Sequence, residues 1–172
     1  MKTENTNENL MNEYAKDPQR GFEQIYRAYA DRLVQYAIHS FRLSCEEAED
    51  AVHEALLPWV QSPQKMSSVK NLKAYLYASL RNACIKRSGA RRDSAMPEDM
   101  AAAEGPDVHL QADVAIALKQ LPDEQCETVY LKIWGDLTFA EIAELQNTSL
   151  PTIASRYRYA LAKLKEILQW NP

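Results

Sequence analysis

The chain has 172 residues and only four glycines, is rich in Ala, Leu, Glu, Lys and Gln, and lacks long β-branched runs, so an all-helical protein is expected. No apolar run approaches membrane-spanning length, and the polar start MKTENTNEN is no signal peptide, so a cytoplasmic protein without membrane insertion is expected. Three scattered cysteines and three scattered histidines supply neither a disulfide framework nor metal-ligand spacing, so no metal or cofactor is expected, and the net charge of −4 resolves into +5 over residues 20–92 and −6 over 93–115.

In chain order, residues 1–19 form a polar extension with few apolar groups, expected to fray. Residues 20–92 read as a first helical domain. Phe22, Ile25, Tyr29, Leu33 and Tyr36 keep helical spacing as far as Phe41. Ser44, followed three residues later by Glu47, has the pattern of a capping box for a second helix, which buries Ala48, Val52, Ala55, Leu56 and Trp59. Pro58 removes a backbone donor and is expected to bend or stop that helix near Leu57. Gln61 to Val69 reads as a loop. A third helix from about Asn71 buries Leu72, Leu76, Leu80 and Ala83, and Gly89 is expected to end it.

Residues 93–109 read as an acidic linker, with prolines, a glycine and little to bury, so that cleavage there is expected to release two separate helical pieces. Residues 110–170 read as a second helical domain. It has helices near 110–119 and 123–134, then a helix, the turn Gln146-Asn147-Thr148 and a second helix. Asn147 tolerates the left-handed backbone of a helix C-terminus, Ser149 is placed to N-cap the last helix, and Pro151 suits its first turn. Leu150, Ile153, Tyr157, Leu161, Leu164 and Leu168 then form one apolar stripe. The expected fold class is therefore all-α: two small helical domains joined by an acidic linker, the second containing a helix-turn-helix.

Three outward faces carry the functional signal. On the second helix Glu46, Glu47, Asp50, His53, Glu54 and Leu57 project away from the Val52 stripe, an apolar anchor ringed by acids that fits docking on a basic partner. From Ala55 to Arg92 there are eight cations and no acid, including Lys65, Lys70, Lys73, Arg81, Lys86 and Arg87, interleaved with Tyr75 and Tyr77. Cations that track a backbone beside aromatics that stack on bases suit single-stranded nucleic acid, with core packing the alternative for either tyrosine. On the last helix Thr152, Ser155 and Tyr159 point away from the stripe, flanked by Pro151, Arg156 and Arg158, a face fitted to a major groove.

These residues resemble a known family. GFEQIYRAYADRLVQYA, EEAEDAVHEALLPWV and NLKAYLYASLRNACIKRSGARR look like region 2 of bacterial sigma factors. LKQLPDEQCETVYLKIWGDLTFAEIAELQNTSLPTIASRYRYALAKL looks like their region 4. A chain of these two regions alone resembles the extracytoplasmic-function (ECF) group. The resemblance implies core RNA polymerase and promoter DNA as partners, leaves room for an anti-sigma factor, and implies transcription initiation without catalysis. It places Glu47, Glu49, Asp50 and Glu54 on the polymerase clamp helices, with Leu57 on the same face. It places the loop from Ser62 to Val69 on a flipped base of the −10 element, and Tyr75, Tyr77, Arg81, Asn82 and Lys86 in strand opening. Pro151, Thr152, Ser155, Arg158 and Tyr159 would read the −35 element. The chain departs from the family pattern at Ala154, usually basic, at Gln146-Asn147-Thr148, usually Leu-Gly-Ile, and at Ala51, His53 and Pro58. Two other classes fit less of the chain: a plain helix-turn-helix regulator, and a helical interaction protein that binds no DNA. No paired carboxylates, Ser-His-Asp set or phosphate loop points to an enzyme.

Overall fold

The computed structural model describes residues 2–93 and 112–169. Among them it has nine helices and no strand: α1 (Lys2–Lys16), α2 (Pro18–Phe41), α3 (Cys45–Gln61), α4 (Pro63–Met66), α5 (Leu72–Asp93), α6 (Ala112–Lys119), α7 (Asp123–Ile133), α8 (Phe139–Leu145) and α9 (Leu150–Ile167). All but the first residue of the expected acidic linker, 93–109, lies outside the described residues.

Local chemistry sets most of the ends. The Asp17 side chain caps α2 through the Arg20 N–H, and Ser44 and Glu47 form the reciprocal capping box that starts α3. Thr138 and Glu141 form a second such box for α8, and Ser149 caps α9 through the Thr152 N–H. Asn147 takes the left-handed conformation in the α8–α9 turn, φ 49°.

The structure corrects several expectations. The N-terminal extension does not fray. Leu10 and Tyr14 of α1 are buried, and Tyr14 packs edge-on against Trp59, its hydroxyl donating to the Trp59 carbonyl. Gly21 makes the crossing possible, because a Cβ there would lie 2.2 Å from the Tyr14 Cα. Helix α3 runs through Pro58, since burial of Trp59 and a Ser62 N–H to Pro58 carbonyl bond of 2.9 Å hold its last turn. The expected loop contains the short helix α4, anchored by buried Met66. Gly89 does not end α5, which continues to Asp93; a helical glycine costs only about 1 kcal/mol, too little to stop an otherwise supported helix. Leu150 and Leu161, assigned to the buried stripe, are 50% and 40% exposed, and α9 packs instead on Ile153, Ala160 and Leu164 with half-buried Tyr157. Leu150 opens the first turn of α9, and Leu161 sits one step round from the Ala160–Leu164 line.

The two helical halves also pack on each other, which the sequence did not announce: α2 packs on α7 and α6, α5 packs on α8, and one apolar cluster runs through both. Tyr36 of α2 sits at the join, its ring edge-on to Tyr77 of α5 at 5.2 Å and tilted against Tyr130 of α7 at 5.8 Å.

Candidate nucleic-acid and partner surfaces

Helix α3 turns one side into the core and leaves the other bare. Glu46, Glu49, Asp50, His53, Glu54 and Leu57 are exposed, Leu57 by 49%. Val60, one turn on, is 59% exposed and extends the apolar anchor; its three-residue offset from Leu57 was the available signal, and it was missed. The acids are not equally free. Glu47 is half-buried and occupied with its capping box, and Glu49 accepts a weak hydrogen bond from the Cys45 thiol at 3.6 Å. Glu54 pairs with Arg87 at 3.0 Å and Lys86 at 3.7 Å on α5. Asp50 forms no ion pair among the described residues.

The basic face of α5 meets carboxylates of the second half. Arg81 donates its Nε–H to Glu127 Oε1 at 2.9 Å, and the Tyr36 hydroxyl donates to the same oxygen at 2.6 Å. The Glu127 side chain is 8% exposed, so this is a buried charge met by one cation and one phenol. Burial and then the Glu127 charge push the Tyr36 phenol well above its ordinary value, which keeps it a donor. Lys73 reaches the carbonyl of Asp136 and, at 3.2 Å, its carboxylate. The Asn71 amide donates to Glu141 at 2.6 Å. Burial works to raise the Glu141 carboxyl, but the Thr138 N–H, the Asn71 amide, the Thr138 hydroxyl and the Lys73 charge together lower it. At the rim, Arg42 pairs with Asp123 at 3.1 Å and also donates to the carbonyls of Lys119 and Leu121. The Cys126 thiol donates to the His39 carbonyl at 3.3 Å, and burial pushes it up to about 12.

Of the residues assigned to single-stranded nucleic acid, Lys65, Lys70, Asn82 and Lys86 are exposed, whereas Arg81 and Arg87 are half-buried in ion pairs. Tyr77 is fully buried, so its assignment as a stacking platform is corrected: a residue in line with Leu80 and Cys84 faces the core. Tyr75 is half-buried, edge-on to Trp59 at 5.7 Å. A polar cleft of about 850 Å³ opens between α1, the turn before α5 and the α7–α8 turn, with Lys70, Lys73, Asp136 and Glu141 in its walls.

The third surface is the outer side of α9. Pro151, Arg158 and Tyr159 are exposed, Tyr159 by 59%, and the Arg158 guanidinium lies 5.2 Å from the centre of the Tyr159 ring. Thr152 and Ser155 are half-exposed; Thr152 contacts the Ser149 cap, and the Ser155 hydroxyl donates to the Pro151 carbonyl at 2.9 Å. Arg156 departs from its assignment: it binds Gln146 at 2.9 Å and the carboxylate of Glu124, which turns it back into the protein. Among the described residues no cluster of His, Cys, Asp or Glu is disposed to hold a metal, and no helix is long and apolar enough to cross a membrane.

Comparison with known proteins converges on one family. The family profile Sigma-70 region 2 matches residues 25–93, and Sigma-70 region 4 matches residues 117–166, together more than half of the chain. The ECF RNA polymerase sigma factor EcfG of Rhodopseudomonas palustris is 27% identical over 134 residues, 73% of each protein. Among solved structures, the sigma factor RpoE of Bartonella quintana, crystallised with the anti-sigma factor NepR, superposes with a TM-score of 0.71 at 26% identity, covering 88% of this chain and 98% of that one. CnrH, solved with the cytosolic domain of CnrY, shares the fold at a TM-score of 0.62 and 21% identity, covering 93% of this chain and 95% of that one.

Proposed function

The chain belongs to the sigma-70 family, in its ECF group, and from that premise we propose how its surfaces divide the work of initiating transcription. The outward side of α3, with Asp50, Glu49, Leu57 and Val60, docks on core RNA polymerase. Thr152, Ser155, Arg158 and Tyr159 of α9 read the duplex −35 element. The Ser62–Val69 segment and α5, through Lys65, Lys70, Lys73, Arg81, Asn82, Lys86 and Arg87, engage the −10 element and its opened strand. The protein adds no catalysis of its own and works in the cytoplasm beside the polymerase. An anti-sigma factor is a fitting further partner, since the similar sigma factor RpoE was co-crystallised with the anti-sigma factor NepR.

One observation carries the mechanism: Glu127 and Asp136 of the second half hold Arg81 and Lys73, the cations that strand opening needs. Elements named for positions about 35 and 10 base pairs before the start lie about 25 base pairs apart, roughly 85 Å at ~3.4 Å per pair. A compact chain of this length is about 40 Å across, from a radius of gyration near 16 Å. The closed protein therefore cannot span both elements, and the halves must separate before both are read. Docking on polymerase replaces the interface, and the freed α5 cations take DNA phosphates in place of carboxylates. Run-off transcription with a bacterial core polymerase on a promoter library tests this: transcripts sharing −35 and −10 motifs are expected, and no stimulated transcript from any promoter would overturn it.

A further inference from the structure

The α8–α9 turn of this chain is polar at all three of its positions, Gln146, Asn147 and Thr148. A turn that cannot bury apolar side chains needs another device to fix the angle between the two helices of a DNA-reading motif. The side chain of Arg156 supplies one. It is only 21% exposed, although it lies between the outward residues Ser155 and Arg158. One arm of its guanidinium donates to Gln146 Oε1 at 2.9 Å, in the turn, and the other lies on the Glu124 carboxylate, in the first turn of α7. Thr128 of α7 completes the arrangement, its hydroxyl donating to the Glu124 carbonyl at 2.7 Å and lying 3.5 Å from Gln146 Oε1.

The Gln146 amide is held in one orientation by this fork. Its oxygen faces the guanidinium, and its nitrogen is buried with no hydrogen-bond partner among the described residues. An orphaned donor of that kind is tolerated where the partner oxygen is needed. A planar guanidinium holds two separated acceptors with two different nitrogens in a rigid fork, whereas an ammonium carries all its donors on one nitrogen.

We infer that Arg156 is a positioning residue that sets α9 against α7 and the turn for −35 reading, and does not itself touch DNA. The inference rests on the −35 role proposed for α9. Contacts to base edges demand placement to about half an ångström, so loosening the fork blurs sequence discrimination before it removes binding.

The test uses the holoenzyme formed with core polymerase, and promoter duplexes with intact or substituted −35 elements, titrated by fluorescence anisotropy over a range of salt. Arg156→Ala is expected to reduce −35 discrimination at least tenfold, with an unchanged slope of log affinity against log salt. Arg156→Lys is expected not to restore it. Gln146→Leu, which removes the orphaned amide and returns an apolar turn, is expected to make the loss from Arg156→Ala smaller in the double variant. This keeps the test open if the single variant folds poorly. A uniform loss over all −35 variants with a slope reduced by about 0.9 would make Arg156 a phosphate contact and overturn the inference. Unchanged discrimination in Arg156→Ala would overturn it too. Absence of any −35 preference in the unsubstituted holoenzyme would instead bring down the −35 reading itself.

Discussion

Helices α5 and α9 are both basic, and the fold puts them in opposite states. On α5 the side chains of Lys73 and Arg81 are 13% and 23% exposed, each held by a carboxylate from the other half of the molecule. On α9, Arg158, Tyr159, Lys163 and Lys165 are all exposed. The surface assigned to duplex DNA is available, while the surface assigned to the opened strand is covered in part: Lys73 and Arg81 are held, and Lys65, Lys70, Asn82 and Lys86 stay exposed. Charge along a helix thus indicates what the helix binds, and the packing around it decides when.

The widest breach of this contrast is expected from Arg81→Ala. It strands the Glu127 carboxylate in a largely dry interface, and breaking a buried pair from one side costs about 3–5 kcal/mol. For a domain of this size that is a fall in Tm of roughly 6–20 °C, read by calorimetry. The same variant should expose Cys126, whose thiol is buried and pushed up to about 12 in the closed form, so its alkylation should accelerate many-fold. Cys126 alkylation as slow as in the unsubstituted protein would show that the pair does not hold the halves together.

Asp50→Lys and Leu57→Ala sharpen the contrast from the other side, because Asp50 forms no ion pair among the described residues and the Leu57 side chain is half exposed. Stability should move by less than about 0.5 kcal/mol. Affinity for core polymerase should fall by on the order of 2–5 kcal/mol for the charge reversal. Pull-down of core polymerase at unchanged strength would remove α3 from the docking surface.

Smaller again is Gly21→Ala. Its new Cβ meets the Tyr14 backbone, and forcing the helices apart costs about 1–3 kcal/mol, seen as loss of α1 protection in hydrogen exchange. The least effect belongs to Glu141. Its folded value is lowered, so its contribution is full above the ordinary carboxylate range and disappears as pH falls through the lowered value. The stability gap between the protein and Glu141→Gln should therefore be present at about pH 7 and close in acid. A gap that widened in acid would contradict the Asn71 and Thr138 contacts.

The helices from α2 onward, apart from α4, could be read from the sequence because three- and four-residue apolar spacing and side-chain caps are local signals. Ser44, Ser149 and Asn147 act as their residue types predict. Helix α1 escaped, since Leu10 and Tyr14 make too thin a stripe to announce burial. Its support is Gly21, a glycine in α2 that makes sense only once the two helices cross. The interface escaped for a related reason. Glu127 lies in a segment, DEQCETVYL, whose acids look solvated, and nothing within nine residues reveals that Tyr36 and Arg81 converge on it. Segregated charge showed that the cations have partners, and only the fold shows that some of those partners are internal. Tyr77 illustrates the limit at a single position: its spacing allowed either core or surface, and the edge-on contact with Tyr36 decides for core.

The closed chain and its opening are tested most directly by one distance. Spin labels at Glu23 on α2 and Lys163 on α9, both exposed and clear of the proposed contacts, report the separation of the halves by double electron–electron resonance. The free protein should give one narrow distribution below about 40 Å, the breadth of a compact chain of this length. With core polymerase and promoter DNA present, the distance should lengthen by several tens of ångströms, as the roughly 85 Å between the elements requires. The same short distance in the initiation complex, or a broad long one in the free protein, would contradict the account.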